Sequence, residues 1–316
     1  MKIGLEDRLP RKEILDFVST FPHVTFFHTP TWMEILTTSF PHFNARWITV
    51  RSDRELIGIM PVVEIRRGSF RTMWALPFGT YGDPIALTVS TQHALLETFF
   101  QLAGAVTCLE AGVTFFSPGF EGVLPDGVDV RTEECRVIHL HGSFQEYRTG
   151  ALSKKRRQLC HRALRAGIEV RPIEEEREVE ELHRLYSIEA RTWGGPHPYP
   201  VQLFRELLTH RGEGVILWGG FLGGRLLGGH INFYFKEMGQ AWQAAMSEDA
   251  SEYEVSALLI LEAVREAYAR GMRIFNLGSS GGNRGIIFFK ESMGGKEHLY
   301  RIATVRKKWW SWLKGR

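Results

Sequence analysis

At 316 residues the chain exceeds what one hydrophobic core ordinarily holds, so two domains of common size are expected. Hydrophobic residues at 44% and charged residues at 24% describe a globular chain and exclude a disordered or fibrous one. A net charge of +3 is too mild to mark a nucleic-acid binder by itself. The opening MKIGLEDRLPRKEI lacks the apolar run of a signal peptide, and no window approaches the roughly 18 uncharged apolar residues of a membrane span. Three cysteines, Cys108, Cys135 and Cys160, stand far apart without CxxC spacing, so a reduced, cytoplasmic protein is expected.

In chain order, apolar periodicity predicts amphipathic helices over 12–20 and 30–40, the second opened by Thr29 and Pro30 and burying Trp32, Ile35, Leu36 and Phe40. A hairpin follows, 45–51 and 55–67 around the turn Ser52-Asp53-Arg54, then 70–84 as a third strand running into a glycine turn. A helix over 91–103 stops at Gly104, and strands are expected at 113–118 and 135–142. The second half repeats the order: a hairpin of 214–221 and 225–235, a strand at 239–247, a helix over 254–270 ending at Gly271, and a strand at 273–277. Leu56-Ile57-Gly58 and Leu226-Leu227-Gly228 hold the same place in their hairpins. Two copies of one unit, each about 150 residues, are therefore expected, divided as 1–142 and 143–316.

Between the copies lies the basic stretch LSKKRRQLCHRALRAG, about 151–167. As a helix it puts Lys154, Arg157, His161 and Arg165 on one face and Leu152, Leu159, Ala163 and Ala166 on the other. A cationic stripe without acidic neighbours suits an anionic ligand, phosphate or nucleic acid. Next come a helix over 176–193, the loop WGGPHPYP, in which Trp193, His197 and Tyr199 are candidate pocket residues, and a helix over 201–210.

The most informative stretch is 271–295, GMRIFNLGSSGGNRGIIFFKESMGG. A strand runs into the Gly/Ser/Asn loop 278–285, and a helical turn over 286–293 carries Lys290. Loop amides around Gly278, Ser279, Ser280 and Arg284 and the lysine are expected to present positive charge to a carbonyl oxygen or phosphate. His230, mid-strand in GGHINF, is a candidate proton acceptor, and Trp242 and Gln243 on the next strand are candidate cleft walls. His139 and His141 share a strand face with no acid or cysteine beside them, so no metal site is expected. The tail RKKWWSWLKGR, 306–316, reads as a helix with Trp309, Trp312 and Leu313 on one side, fit for an anionic membrane interface.

The phrases RRQLCHRALRAGIEV, WGGPHPYPVQLFRELL, LGGRLLGGHINF, EAVREAYARGMRIFNLGSS and FFKESMGG, with TPTWMEIL, GIMPVVEI and FGTYGDP in the first half, resemble the Fem-type (FemAB/FemX-like) branch of the GNAT superfamily over nearly the whole chain. The resemblance implies an α/β (α+β) fold of two tandem GNAT-like domains, each a mixed, mainly antiparallel sheet flanked by helices. It implies a bacterial acyltransferase that passes an acyl or aminoacyl group from aminoacyl-tRNA or acyl-CoA to an amine, such as that of a peptidoglycan precursor in cell-wall synthesis. No tightly bound cofactor is expected. Phe289-Lys290 matches the family's Phe-Lys, whose lysine steadies the developing oxyanion, and Arg157 falls near an arginine that meets a phosphate-bearing substrate. Ordinary GNAT enzymes hold the CoA pyrophosphate on a glycine-rich turn; here that turn reads MSEDASEYEVSALL, acidic and without glycine, which opposes the usual mode of CoA binding. Asn276 stands where relatives often carry Asp. An acetyl-CoA-dependent N-acetyltransferase and a non-enzymatic membrane- or RNA-associated module remain the alternatives.

Overall fold

The computed structural model describes residues 1–117, 124–193 and 199–307, divided into two compact units. One comprises Met1–Glu133 with Leu299–Arg316, the other Glu134–His298.

In the first unit the chain forms β1 (Lys2–Glu6), α1 (Arg11–Val18), α2 (Pro30–Ser39), β2 (Phe43–Ser52), β3 (Glu55–Arg67), β4 (Phe70–Trp74), β5 (Ile85–Ala86), α3 (Val89–Ala103) and β6 (Cys108–Phe115). Strands β1 to β4 pair antiparallel in succession, and β6, reached through α3, pairs parallel with β4. Helix α2 begins as expected: the Thr29 hydroxyl accepts the Trp32 N–H with Pro30 at the first helical position. Leu95, Leu96 and Phe99 of α3 pack with Ile48, Met60, Met73 and Val113 in one core, the burial that supplies most of the driving force for this layer.

The chain then continues through β7 (Asp129–His139), α4 (Phe144–Glu146), α5 (Lys154–Arg165), β8 (Ile168–Pro172), α6 (Glu176–Ala190), α7 (Val201–Thr209), β9 (Val215–Leu222), β10 (Arg225–Phe235), β11 (Met238–Met246), α8 (Val255–Ala269), β12 (Ile274–Ser279), α9 (Arg284–Ser292) and β13 (Lys296–Arg306). In the second unit β8 to β11 pair antiparallel in succession and β12, reached through α8, pairs parallel with β11. The order and sense are those of β1 to β6, as the repeated grammar predicts.

Each sheet takes its last strand from outside its own run of sequence. Strand β7 follows β6 in the chain yet pairs antiparallel with β12, and β13 follows β12 yet pairs antiparallel with β6. These boundaries differ from the expected division at 142/143: β7 stands with the second unit and the strand after His298 with the first. Strand pairing, which a linear pattern does not contain, decides this.

Other expectations shift too. The third strand spans Phe70–Trp74, ahead of the expected glycine turn, and β1, β8 and β13 form where the sequence pattern marks no strand. Strands β1 and β8 are short and β13 is charged at both ends, so their alternation is weak until a neighbour supplies the hydrogen bonds. Arg306, expected to open a helix, ends β13; residues 308–316 lie outside the described residues.

The two parallel pairs differ where they part. Strands β11 and β12 pair only at Met238↔Ile274, Gly239↔Phe275 and Gln240↔Asn276, although β11 runs on to Met246. The shift in the β10 register, from Asn232↔Ala241 to Ile231↔Gln243, makes Trp242 the extra residue of a bulge. In the first unit the chain after β4 turns back into the corresponding gap. Gly82 N–H donates to Thr114 O at 2.9 Å. The Asp83 carboxylate accepts the N–H groups of Phe116 and Ser117, both at 3.0 Å.

A lysine at the mouth of a strand wedge

The faces of the second sheet follow from the pleat. A side chain on Gly229 would strike Leu182 of α6, whereas the Tyr234 hydroxyl donates to Ala263 O of α8. Odd residues of β10 therefore face α6, and even ones, including His230 and Asn232, face α8.

Helix α9 is capped by Asn283, whose Oδ1 accepts the N–H groups of Gly285 and Ile286. It delivers Lys290 to the end of β12, where Nζ donates to Gly278 O at 2.9 Å and Ser279 O at 2.8 Å. Gly278 adopts φ 75°, open to glycine at no steric cost, and a methyl added there would meet Ala241 O at 3.6 Å. The lysine is thus fixed where β11 and β12 separate. It is buried, and burial above all, with Arg136 adding repulsion against the opposing effect of Cys135, lowers its pKa to about 8. An ammonium has three N–H donors, and the described hydrogen bonds use two.

The loop itself is arranged differently from the expectation of free amides. Gly278 N–H donates to Asn276 Oδ1 at 2.8 Å, Gly281 N–H to Ser279 Oγ at 3.2 Å and Asn283 N–H to Ser280 O at 3.0 Å. With Gly285 and Ile286 also bound, the loop turns two carbonyls to Lys290 and uses these amides to hold its own shape; Asn276 is part of that scaffold. Arg284 is exposed on the first turn of α9.

His230 is buried, and burial first and the Lys290 charge second lower its pKa to about 4, against an opposing contribution from Asn232. The imidazole is neutral at pH 7, as its expected role as proton acceptor requires, but its lowered basicity counts against that role. Its Nδ1, Asn232 Oδ1, Gln240 Oε1 and Ser280 Oγ are buried without hydrogen-bond partners among the described residues. Each such atom costs about 1–3 kcal/mol, so four of them in one unit call for an explanation. Sequence reasoning missed Asn232 and Gln240, since a polar residue in a strand carries no mark of its depth.

On the α6 face, Tyr186, Tyr199 and Trp242 form a stack, with Tyr199 5.6 Å from Tyr186 and 5.5 Å from Trp242 between ring centroids. Gln243, opposite Ile231, shares that face. Trp242, Gln243 and Tyr199 thus come together, on the face opposite His230. His197 and the side chain of Trp193 lie outside the described residues.

The basic helix is divided. Arg157 Nη1 donates to the carbonyls of Arg148, Thr149 and Leu152 at 3.0, 2.8 and 2.6 Å, closing the turn before α5. Arg156 donates to Glu254 Oε2 at 2.5 Å and to Ser292 Oγ at 3.2 Å, and lies over the Phe289 ring at 4.8 Å. It therefore braces α9, and with it Lys290, against the start of α8. Lys154 and Arg165 remain exposed, with Lys155, His161 and Arg162. Arg157 is withdrawn from the expected stripe because unsatisfied carbonyls nearby compete for its guanidinium.

Residues 150–285 match the family model described as an acetyltransferase (GNAT) domain. FemX superposes with a TM-score of 0.71 at 11% identity, over 95% of this chain and 97% of that one. The C-terminal domain of a putative lysylphosphatidylglycerol synthetase from Agrobacterium fabrum gives 0.61 at 12% identity, over 96% and 94%. A tandem GNAT protein from the clavulanic acid biosynthesis pathway gives 0.59 at 13% identity, over 96% and 98%. No curated protein matches the chain at a significant level. The chain has a tandem GNAT-like fold, similar to that of FemX. Both units are mixed, mainly antiparallel GNAT-like sheets flanked by helices.

In this GNAT-like frame the acidic turn before α8 is partly neutralised by its own neighbours. Asp249 is bound by Arg225 and Ser247, and Glu254, at φ 53°, by Arg156. Two of the acids expected to repel a pyrophosphate are thus paired in place, so the electrostatic objection to CoA narrows to Glu248 and Glu252. Among the described residues no group of His, Cys, Asp or Glu is placed to hold a metal, and no helix is long and apolar enough to cross a membrane.

Proposed function

We propose that this protein is an N-acyltransferase that moves an acyl or aminoacyl group from an activated donor, aminoacyl-tRNA or acyl-CoA, directly onto an amine. The observation that carries it is Lys290, a buried cation with a donor in reserve, anchored at the mouth of the wedge between β11 and β12. Attack of an amine on an ester or thioester builds negative charge on the carbonyl oxygen. A preorganised cation in a site of low dielectric stabilises that charge in the transition state more than the carbonyl in the ground state. The two backbone carbonyls fix Nζ before substrate arrives, so little reorganisation remains to oppose the step. No residue of the loop is arranged as a serine nucleophile, and the reading is direct transfer in a ternary complex.

His230 and Asn232 line the α8 side of this site as hydrogen-bonding groups, and the exposed Lys154 and Arg165 of α5 are offered to the anionic part of the donor or acceptor. The Fem-type fold supports the amine of a cell-envelope precursor as acceptor. Peripheral membrane contact through 306–316 is part of the same reading; flotation with anionic liposomes should weaken on truncation before Arg306.

The unfilled wedge and the match to an acetyltransferase domain also favour an acyl-CoA donor, making the protein a small-molecule N-acetyltransferase. Calorimetric titration with acetyl-CoA and a donor screen against charged tRNAs separate the two. In either case Lys290→Met should lower kcat about 10²–10³-fold while donor binding persists. Unchanged turnover would remove Lys290 from the step, and absence of turnover in the unaltered chain with every donor would leave a non-enzymatic binding module as the better account.

A further inference from the structure

Arg136 stands on β7 at the point where β12 bulges. Asn276 pairs with Val137 and Ser279 with Cys135, so Leu277 and Gly278 together stand opposite Arg136 alone. Gly278 and Ser279 are the residues whose carbonyls hold Lys290. The end of α9 lies against this bulge: Gly295 N–H donates to Lys290 O at 3.0 Å, and a methyl added to Gly295 would meet Lys290 O, Arg136 Cβ and Leu277 Cδ1 at 2.8, 3.1 and 3.1 Å. Arg136 is buried, yet acids surround its guanidinium. Nε donates to Glu291 Oε1 at 3.2 Å, and Nη1 lies 3.2 Å from Glu134 Oε2 and 3.9 Å from Glu297 Oε2. Glu291 is the residue after Lys290, and the next two are also held from outside α9. Ser292 Oγ accepts from Arg156 at 3.2 Å and Ser292 O from Ser153 N–H at 3.1 Å, while Met293 O accepts the Tyr147 hydroxyl at 2.7 Å. The run Glu291–Met293 is thus tied to β7, to α5 and to the segment before α5, and Lys290 reaches β12 from that clamp.

A buried ion pair contributes little net stability, because desolvation offsets its attraction; what it fixes is direction. We propose that Arg136 is a positioning residue for acyl transfer: by holding Glu291 it sets the angle at which α9 presents Lys290 to the developing oxyanion. This rests on the acyl-transfer reading above. A displacement of about 1 Å in a reacting group can cost on the order of 10²-fold in rate, so a clamp on the neighbouring residue bears on turnover without touching substrate. The same pair also bears on the charge of Lys290. The groups acting on its ammonium are Cys135 and Arg136 from β7, and on β10 His230 is acted on by Lys290 in turn. Arg156 of α5 is turned to Glu254 and Ser292, and Glu291 of α9 to Arg136. Arg136 repels the ammonium, and Glu291 tempers that repulsion. Loss of the Arg136 charge should therefore let Lys290 keep its proton to higher pH, and loss of the Glu291 charge should do the opposite.

The test uses the full chain and the variants Arg136→Gln, Arg136→Lys and Glu291→Gln. Arg136→Gln and Glu291→Gln should each lower kcat about tenfold with KM little changed, and Arg136→Lys should recover most of the loss. The alkaline limb of kcat should move to higher pH in Arg136→Gln and to lower pH in Glu291→Gln, opposite shifts that a general loosening of the fold does not produce. The Glu291 side chain is half exposed, so Glu291→Gln keeps the test readable if Arg136→Gln fails to fold. The shifts should also appear without turnover. In the chain labelled with [ε-¹³C]lysine, the Lys290 signal, assigned by its loss in Lys290→Met, should titrate later in Arg136→Gln and earlier in Glu291→Gln, each by about 0.5 in pH. A chain that uses no donor sinks the acyl-transfer reading, and this titration still decides whether Arg136 and Glu291 govern Lys290. An unchanged kcat in Glu291→Gln, limbs that move the same way, or a Lys290 titration equal in all variants overturns the proposal.

Discussion

The two units share one strand order but treat the gap beside their parallel pair in opposite ways. In the first, residues 82–83 enter the gap, Gly82 bonding Thr114 O and Asp83 bonding the amides of Phe116 and Ser117. His28, itself buried, donates from Nε2 to the Asp83 carbonyl at 3.0 Å and locks the segment. In the second, no described segment takes the corresponding place, and Lys290 comes to the mouth instead. Backbone amides at a strand edge need acceptors. The first unit supplies its own from Asp83; among the described residues no segment does so in the second. Among the described residues one copy of the fold thus closes its gap and the other does not, and one donor site per chain is the expected stoichiometry.

The largest effect should come from cutting the chain at 142/143. Fragment 1–142 then carries β7 without β12 and lacks β13, while 143–316 carries β13 and lacks β7. Neither should be soluble alone, whereas co-expression should recover a complex, read by co-purification; two independently stable fragments would break the strand exchange. Next, Lys290→Met should reduce kcat about 10²–10³-fold with Tm changed by only a few degrees, whereas Asp83→Ala should do the reverse. Loss of the Asp83 carboxylate orphans two buried amides, about 2–4 kcal/mol of stability, with turnover per folded molecule preserved. Chemical denaturation together with steady-state kinetics reads both.

Smaller effects come from pH. Burial raises the Asp83 carboxyl to about 6, against the pull of its two amides. Between its ordinary 3.8 and about 6 the folded state holds a proton that the unfolded state has lost, so this residue's contribution to stability falls as pH rises through that window. Asp83→Asn should flatten the corresponding part of the stability curve. For Lys290 the sign for stability is reversed. Its folded pKa is lowered, so from about 8 up to its ordinary 10.5 the unfolded state binds more protons and stability gains with pH. Catalysis runs the other way: the cation is lost above about 8, and kcat should decline there. A kcat that is flat from pH 7 to 9 would remove Lys290 from the step.

Much of the second unit was legible in the sequence. The run 225–235 reads as a strand and is β10, and the basic run with alternating apolar positions reads as α5, because local periodicity reports which side of an element meets the core. Lys290 stood out as a lone cation in an apolar turn after a glycine loop. Asn232 and Gln240 did not, since nothing in a linear pattern separates a buried polar residue from one in solvent. Arg157 misled for a related reason: helical phase gives its direction from the axis but not the carbonyls of 148–152 that capture it.

By itself the sequence determined the two repeated units, their strand and helix order and the placement of a lysine after a glycine loop, all set by short-range periodicity and turn chemistry. Only the tertiary structure decided that β7 pairs with β12 and β13 with β6, that residues 82–83 fill one gap while no described segment fills the other, and that Lys290 stands at its mouth. Strand pairing and burial join residues far apart in the chain, and their energies depend on neighbours that no local pattern names.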